Sequence, residues 1–203
     1  IELVVLDCDG VLFESGGANI AYYNAVLARL GRAPMTEEWE RQVHFLASAQ
    51  VYDAMFGAGS TLAEEARRVA REISYTPFFD LMRPADGLEE ALATLRASYH
   101  LAMATNRGST VREILRRFGL DRYIDFAVGI HDVERPKPHP DMLLRCLEHF
   151  AVPASVAVYV GDSETDGEAA AAASMHFVAV GECPWARHRV TTLLDLPRKL
   201  ARI

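Results

Sequence analysis

Five short runs of apolar residues, rich in Val, Ile, Ala and Leu, recur along this sequence. None of them alternates apolar with polar residues, which is typical of strands that are buried on both faces of a parallel sheet. Segments with apolar residues at helical spacing separate the later runs, and such an alternation builds a doubly wound α/β fold. The predicted strands are residues 2–6, 100–104, 125–130, 155–160 and 176–180.

A long segment without any strand pattern follows the first run. Between residues 14 and 84 the apolar residues have helical spacing, and a chain of 203 residues is long enough for one domain with a small insert. We therefore expect an α/β core formed by residues 1–13 and 85–203, and a small helical domain, residues 14–84, inserted after the first strand. Helices of this insert are predicted at 19–30, from Thr36 onward and at 62–73.

Charge and cysteine content exclude several classes of protein. The chain has 21 basic and 28 acidic residues, a net charge of −7, whereas a nucleic-acid interface calls for clustered Lys and Arg. Its three cysteines are odd in number and widely spaced, which indicates reduced thiols rather than disulfides or a zinc site. No apolar run approaches the roughly 18 residues of a transmembrane helix. We expect a cytoplasmic protein without nucleic-acid or membrane partners; the sequence does not determine its oligomeric state.

Two carboxylates, Asp7 and Asp9, follow the first predicted strand directly. Like charges this close are costly unless a cation or a reaction uses them. The pair Asp9-Gly10 between apolar runs is also typical of a hairpin turn. The two interpretations are compatible, since a small hairpin can follow the carboxylates.

Polar residues also follow the second predicted strand and precede a later helix. Thr105 and Asn106 offer a hydroxyl and an amide before a helix N-terminus, where anions bind, although ordinary capping explains them as well. The neighbouring Arg107 either contacts a substrate anion or lies exposed at the helix start. Lys137, between two prolines, is one of only two lysines in the chain, the other being Lys199. This scarcity favours a functional lysine over a solvated one.

Two further acids, Asp162 and Asp166, lie where the fourth predicted strand passes into a helix. They offer the oxygen ligands that suit Mg²⁺, but acids in a first helical turn are also favoured by the helix dipole. Placement decides between these interpretations. Asp7, Thr105 and Asp162 all follow strands of one parallel sheet, whose carboxyl edge is where such sheets bind ligands. One composite site is therefore expected there.

At these residues the sequence resembles the haloacid dehalogenase-like hydrolase superfamily. The resemblance rests on Asp7-Cys8-Asp9-Gly10-Val11, Thr105, Lys137 and Gly161-Asp162-Ser163 with Asp166, which stand in the family's order along the chain. It implies a Rossmann-like core with strand order 5-4-1-2-3. It also implies a helical cap over the active edge, as in phosphoglycolate phosphatase-like members, and Gly16-Gly17 would be a flexible hinge to that cap.

The resemblance also implies a mechanism. Asp7 would attack phosphorus to give an aspartyl-phosphate, and Asp9 would protonate the leaving oxygen and then deprotonate the attacking water. Thr105 and Lys137 would hold phosphate oxygens. Asp166 would orient Lys137 or a water on the metal. The remaining assignments are Mg²⁺ to Asp7, Asp9, Asp162 and Asp166, and substrate binding to Gly10 and Asn106.

We therefore expect a Mg²⁺-dependent phosphatase that acts on a small phosphorylated metabolite. Dehalogenation is disfavoured because halide release needs no acid at Asp9, and residues 14–84 contain no lysine for the Schiff base of phosphonate-cleaving relatives. A sugar-phosphate mutase of the β-phosphoglucomutase type is a close alternative. A phospho-aspartate switch and a catalytically silent binding protein are more distant ones.

Overall fold

The computed structural model describes residues 1–43, 46 and 48–203. Its residues form two compact units, residues 1–14 with 84–203, and residues 15–83. The predicted insert, residues 14–84, differs from the second unit by one residue at each end, and residues 44, 45 and 47 lie outside the described part. That this unit acts as a cap stays a prediction.

The first unit is built on a six-stranded parallel sheet with the order β5-β4-β1-β6-β7-β8. Helices separate most of its strands along the chain, so the predicted doubly wound α/β fold is confirmed. With the five predicted strands numbered along the chain, their order is 5-4-1-2-3, and β8 is added at the edge beside the fifth. The strands are β1 (Leu3–Leu6), β4 (His100–Ala104), β5 (Phe126–Val128), β6 (Ala157–Gly161), β7 (His176–Val180) and β8 (Arg189–Val190).

Helices cover this sheet because its strands are apolar throughout. All four residues of β1 and the last four of β4 are fully buried, as expected for strands with helices on both faces. On one side, Met142, Leu143 and Cys146 join the same core cluster as the strand residues. The helices of the unit are α5 (Leu88–Arg96), α6 (Val111–Arg117), α7 (Asp141–Phe150), α8 (Glu164–Ala172) and α9 (Leu196–Leu200).

The second unit is helical among its described residues, as its spacing predicts, and has its own core around Tyr23, Val26 and Tyr52. It contains one helix, α3, that the sequence pattern did not indicate. Gly16 and Gly17 begin α1, and that they form a hinge stays a prediction. The helices are α1 (Gly16–Arg29), α2 (Glu37–Val43), α3 (Ser48–Phe56) and α4 (Thr61–Glu72), followed by a 3₁₀ segment, Thr76–Leu81.

Two short strands, β2 (Phe13–Glu14) and β3 (Arg83–Pro84), lie where the chain passes between the units. The turn before β2 is not a two-residue hairpin. The N–H groups of Leu12 and Phe13 both donate to the carbonyl oxygen of Cys8 at 3.0 Å, and Gly10 N–H donates to the carbonyl oxygen of Phe13 at 2.8 Å. Within the described residues, no helix combines the length and the apolar character that a bilayer crossing requires.

Candidate active site

The register of the sheet brings the predicted site residues to one edge. Leu6 of β1 pairs with Met103 of β4 and with Val160 of β6. Each strand therefore ends at nearly the same level, and Asp7, Thr105 and Asp162 follow within two residues of those partners. This is the carboxyl edge, where open α/β sheets bind ligands.

A buried ammonium group links two of the carboxylates. Lys137 Nζ lies 2.9 Å from Asp7 Oδ1 and 2.7 Å from Asp166 Oδ1, and all three residues are buried. Burial alone would lower the pKa of Lys137, but Asp166 and Asp7 raise it above its ordinary value. Lys137 is therefore a permanent positive charge inside the site, which sets it apart from a solvated loop lysine.

Asp166 is held by hydrogen bonds on both oxygens. Its Oδ2 accepts from the Ser163 hydroxyl at 2.6 Å and from the backbone N–H groups of Ser163 and Asp162 at 3.1 and 3.2 Å. Burial would raise the pKa of Asp166, but Lys137 and the hydrogen bonds from Ser163 and Tyr159 lower it. Asp166 is thus an ionised anchor for Lys137 and for the start of α8.

Tyr159 is a member of this network that sequence reasoning missed. Lys137 Nζ donates to its hydroxyl oxygen at 2.7 Å, and that hydroxyl lies 2.8 Å from Asp166 Oδ1 and 3.1 Å from the carbonyl oxygen of Ala104. It is fully buried in the middle of β6. A phenol at an otherwise apolar strand position must find a polar partner, and this requirement is the only sequence signal for its role.

Asp162 completes an acidic cluster. Carboxylate oxygens of Asp7, Asp162 and Asp166 lie within 4.8 Å of one another. Although Asp162 is exposed, desolvation by the surrounding protein and the charge of Asp166 raise its pKa to about 7. A Cβ atom at Gly10 would lie 1.8 Å from Asp162 Oδ2. Gly10 thus leaves room for this carboxylate; its predicted role in substrate binding stays a prediction.

The donor set of this cluster fits a hard divalent cation. Burial raises the pKa of Asp7 well above its usual range; Lys137 opposes this shift, and the other carboxylates add to it. Asp7 Oδ1 is buried and lies 2.9 Å from the Lys137 ammonium. Crowded carboxylate oxygens are the ligands that Mg²⁺ prefers.

The side chain of Asp9 is paired with Arg107, a contact that the sequence did not indicate. Arg107 is buried and donates from Nε to Asp9 Oδ1 and Oδ2 at 3.0 and 2.8 Å, and from a terminal nitrogen to Oδ1 at 2.6 Å. The alternative of an exposed arginine at the helix start is therefore wrong. Arg107 binds an anion, but that anion is Asp9.

Thr105 and Asn106 have distinct places beside the cluster. Thr105 is buried, and its hydroxyl oxygen accepts the N–H of Arg107 at 3.2 Å, which leaves its O–H able to donate. The Asn106 amide makes two hydrogen bonds with the backbone of Lys137, at 3.1 and 3.2 Å. Asn106 therefore fixes the lysine loop; its predicted contact with substrate stays a prediction.

Comparison with known proteins shows what this chain is similar to. A family model described as "Haloacid dehalogenase-like hydrolase" matches residues 4–180. Among curated relatives, a "Phosphoglycolate phosphatase" of Xylella fastidiosa is 30% identical over 175 residues, which cover 85% of this chain and 76% of the relative. A "Phosphorylated carbohydrates phosphatase" of Thermotoga maritima is 28% identical over 187 residues, covering 86% of this chain and 82% of the relative.

A solved structure agrees with both fold and family. A "HAD-superfamily hydrolase, subfamily IA, variant 1" from Geobacter sulfurreducens superposes with a TM-score of 0.81 at 37% identity. The match covers 98% of this chain and 96% of that one, so the helical insert is shared as well as the parallel sheet.

Proposed function

The chain belongs to the haloacid dehalogenase-like hydrolase family, and we propose that it is a Mg²⁺-dependent phosphatase that forms an aspartyl-phosphate, an acyl phosphate, on Asp7. The observation that carries this proposal is the buried Lys137 ammonium between Asp7 and Asp166, at 2.9 and 2.7 Å. It leaves Asp7 as a buried carboxylate beside a fixed positive charge. That environment suits a nucleophile that must approach an anionic phosphoryl group.

Asp7 supplies the covalent step. One of its carboxylate oxygens forms a bond to phosphorus while the bond between phosphorus and the leaving oxygen breaks. Water then attacks the same phosphorus, the bond to Asp7 breaks, and inorganic phosphate leaves. The route divides one difficult displacement into two easier ones, because an acyl phosphate is readily hydrolysed.

Asp9 supplies the protons. It lies two residues after the nucleophile, and its side chain is partly exposed, at 34%. Asp9 donates a proton to the leaving oxygen in the first step and takes one from the attacking water in the second. A positioned acid or base of this kind accelerates proton transfer by roughly a hundredfold to ten-thousandfold.

The cluster is suited to hold Mg²⁺ through Asp7, Asp162 and the backbone carbonyl of Asp9. When bound, the ion neutralises charge between the nucleophile and the phosphoryl group. We assign Asp166 to Lys137 and the α8 loop rather than to the ion, since both of its oxygens already accept hydrogen bonds. Thr105 and Lys137 donate to the phosphate oxygens.

The substrate class we propose is a small phosphorylated metabolite, such as a sugar phosphate or phosphoglycolate. The names of the relatives support it, and so does the net charge of −7, which disfavours extended polyanions. The three cysteines are unpaired and buried, consistent with the cytoplasmic location we propose.

The test is phosphate release from p-nitrophenyl phosphate and a panel of sugar phosphates and phosphoglycolate, with Mg²⁺ and with EDTA. Asp7→Asn removes the nucleophile at nearly constant volume, and Asp121→Asn, an exposed acid in the same unit, is the matched control. We expect turnover that requires Mg²⁺, is lost in Asp7→Asn and is retained in Asp121→Asn.

Three other outcomes of this experiment would contradict the proposal. Isomerised sugar phosphate without net phosphate release would identify a mutase, and a long-lived phosphoryl group on Asp7 without turnover would identify a switch. Turnover that persists in EDTA would contradict the proposed role of Mg²⁺.

A further inference from the structure

The partner of Asp9 is the least expected contact at this edge. Arg107 has only 7% of its surface exposed, and a guanidinium is seldom buried this deeply unless it is paired. Three donor–acceptor distances of 2.6–3.0 Å join it to both oxygens of the Asp9 carboxylate. A planar fork that meets both carboxylate oxygens fixes the orientation of the carboxylate.

The backbone of Arg107 is itself held in place. Its N–H donates to Thr105 Oγ1 at 3.2 Å, and its carbonyl oxygen accepts the N–H of Ile130 at 2.9 Å. That oxygen is so close to Gly129 that a Cβ there would approach it to 2.6 Å. The guanidinium is therefore carried by a segment tied to the ends of both β4 and β5.

We propose that Arg107 is a positioning residue that orients Asp9 for proton transfer to the leaving group. The inference rests on the proposed function, because it gives a role to the acid of that reaction. Arg107 follows Thr105 by two residues, so one short segment after β4 holds the phosphoryl group through Thr105 and aims the acid through Arg107.

This role differs from binding a second anionic group of the substrate. The Nε and one terminal nitrogen of Arg107 already donate to Asp9. A substrate anion would have to compete with a carboxylate that is part of the same chain and is held at hydrogen-bond distance. The two roles also predict different kinetics, since one acts on leaving-group departure and the other on binding of particular substrates.

The experiment compares kcat/KM for an alkyl phosphate and for p-nitrophenyl phosphate, because kcat/KM reports the steps up to departure of the leaving group. Departure of an alkoxide needs a proton, whereas p-nitrophenolate leaves without one. The variants are Arg107→Lys, which keeps the charge but loses the fork, Asp9→Asn, and the two combined. Arg112→Gln, an exposed arginine on α6, is the matched control.

We expect Arg107→Lys to lower kcat/KM for the alkyl phosphate about tenfold more than for p-nitrophenyl phosphate. This loss is smaller than the full contribution of a general acid, because Asp9 is still present but is less well oriented. In the Asp9→Asn background the same substitution has no further effect on the alkyl substrate, since coupled residues are not additive. Arg112→Gln behaves as wild type. The ratio of two substrates on one enzyme is independent of how much of each variant folds.

Equal losses on both substrates, or full additivity with Asp9→Asn, would overturn the inference and leave Arg107 a structural residue. A rise in KM confined to substrates with a second anionic group would overturn it in favour of substrate binding. If the wild type releases no phosphate from either substrate, the proposed function itself fails and this inference with it.

Discussion

At the scale of single residues, two independent features require glycine at position 10: the backbone conformation and the space beside Asp162. The Gly10 φ of +74° lies in the left-handed region, and a Cβ atom would overlap the carboxylate of Asp162. Gly31 has a similar φ of +66° but no atom within 4 Å of the corresponding Cβ position. The pair therefore separates backbone strain from the loss of space at the site.

We expect Gly10→Ala and Gly31→Ala to lower the free energy of unfolding by a similar amount, about 1 kcal/mol for a non-glycine residue at positive φ. Only Gly10→Ala should abolish Mg²⁺-dependent phosphate release, because the new methyl group displaces Asp162. Denaturant unfolding and Mg²⁺ titration measure the two effects. Wild-type Mg²⁺ affinity in Gly10→Ala would contradict this assignment.

The raised pKa of Asp162 predicts a pH-dependent metal site. With a pKa of about 7 in the metal-free protein, Asp162 is mostly ionised at higher pH and takes up a proton as the pH falls below that value. Protons then compete with the cation, so Mg²⁺ affinity should weaken by up to roughly tenfold per pH unit below about pH 7.

Isothermal titration of Mg²⁺ at about pH 8 and pH 6 measures this dependence. Asp121→Asn, the exposed control, should keep the wild-type profile. Equal affinities at the two pH values would show that Asp162 does not need to lose a proton when the ion binds.

A site residue could be predicted from the sequence when its position along the chain already places it at the edge of the sheet. Asp7, Thr105 and Asp162 could be placed because each follows a predicted strand. Contacts such as Arg107 with Asp9, 98 residues apart, could not, because no local pattern records which loops the sheet brings together. Asn106 shows the same limit, since its partner Lys137 lies 31 residues away.

At the scale of elements, the start of α8 connects helix stability to catalysis. Ser163 caps this helix by accepting the N–H of Asp166 at 3.3 Å, and its hydroxyl donates to Asp166 Oδ2 at 2.6 Å. Ser60 caps α4 by accepting the N–H of Ala63 at 3.1 Å. The two serines share the capping role, but only Ser163 contacts a residue of the site.

Ser163→Ala and Ser60→Ala should each lower the free energy of unfolding by about 1 kcal/mol, the usual effect of losing an N-cap. Only Ser163→Ala should also lower kcat, because Asp166 loses a donor that stabilises its charge and Lys137 loses a fixed partner. Chemical denaturation and steady-state kinetics separate the effects. Equal activities of the two variants would argue against a link between the cap and Lys137.

The positions of long helices could be predicted from the spacing of their apolar residues. Apolar residues at helical spacing separate the third and fourth predicted strands, and the structure has α7 there, at Asp141–Phe150. By contrast, β8 has only two residues, Arg189–Val190, too few for any pattern to register. It is recruited by pairing with β7 rather than by its own composition.

At the scale of the whole molecule, the parallel sheet accounts for the composite site. Residues from 7 to 166 meet because parallel strands place all of their carboxyl ends at one edge. The alternation of apolar runs predicted that edge, and the network that fills it depends on side-chain packing that only the folded chain defines. An acidic protein thus holds two buried cations, Lys137 and Arg107, where the proposed reaction needs positive charge.

The most direct measurement is to trap the covalent intermediate. The enzyme is quenched in acid during turnover of a substrate with a radiolabelled phosphoryl group, then digested, and the labelled peptide is identified. We expect a hydroxylamine-sensitive label on Asp7, as for an acyl phosphate, and none in Asp7→Asn. A label on a different residue, or wild-type phosphate release by Asp7→Asn, would contradict nucleophilic catalysis by Asp7.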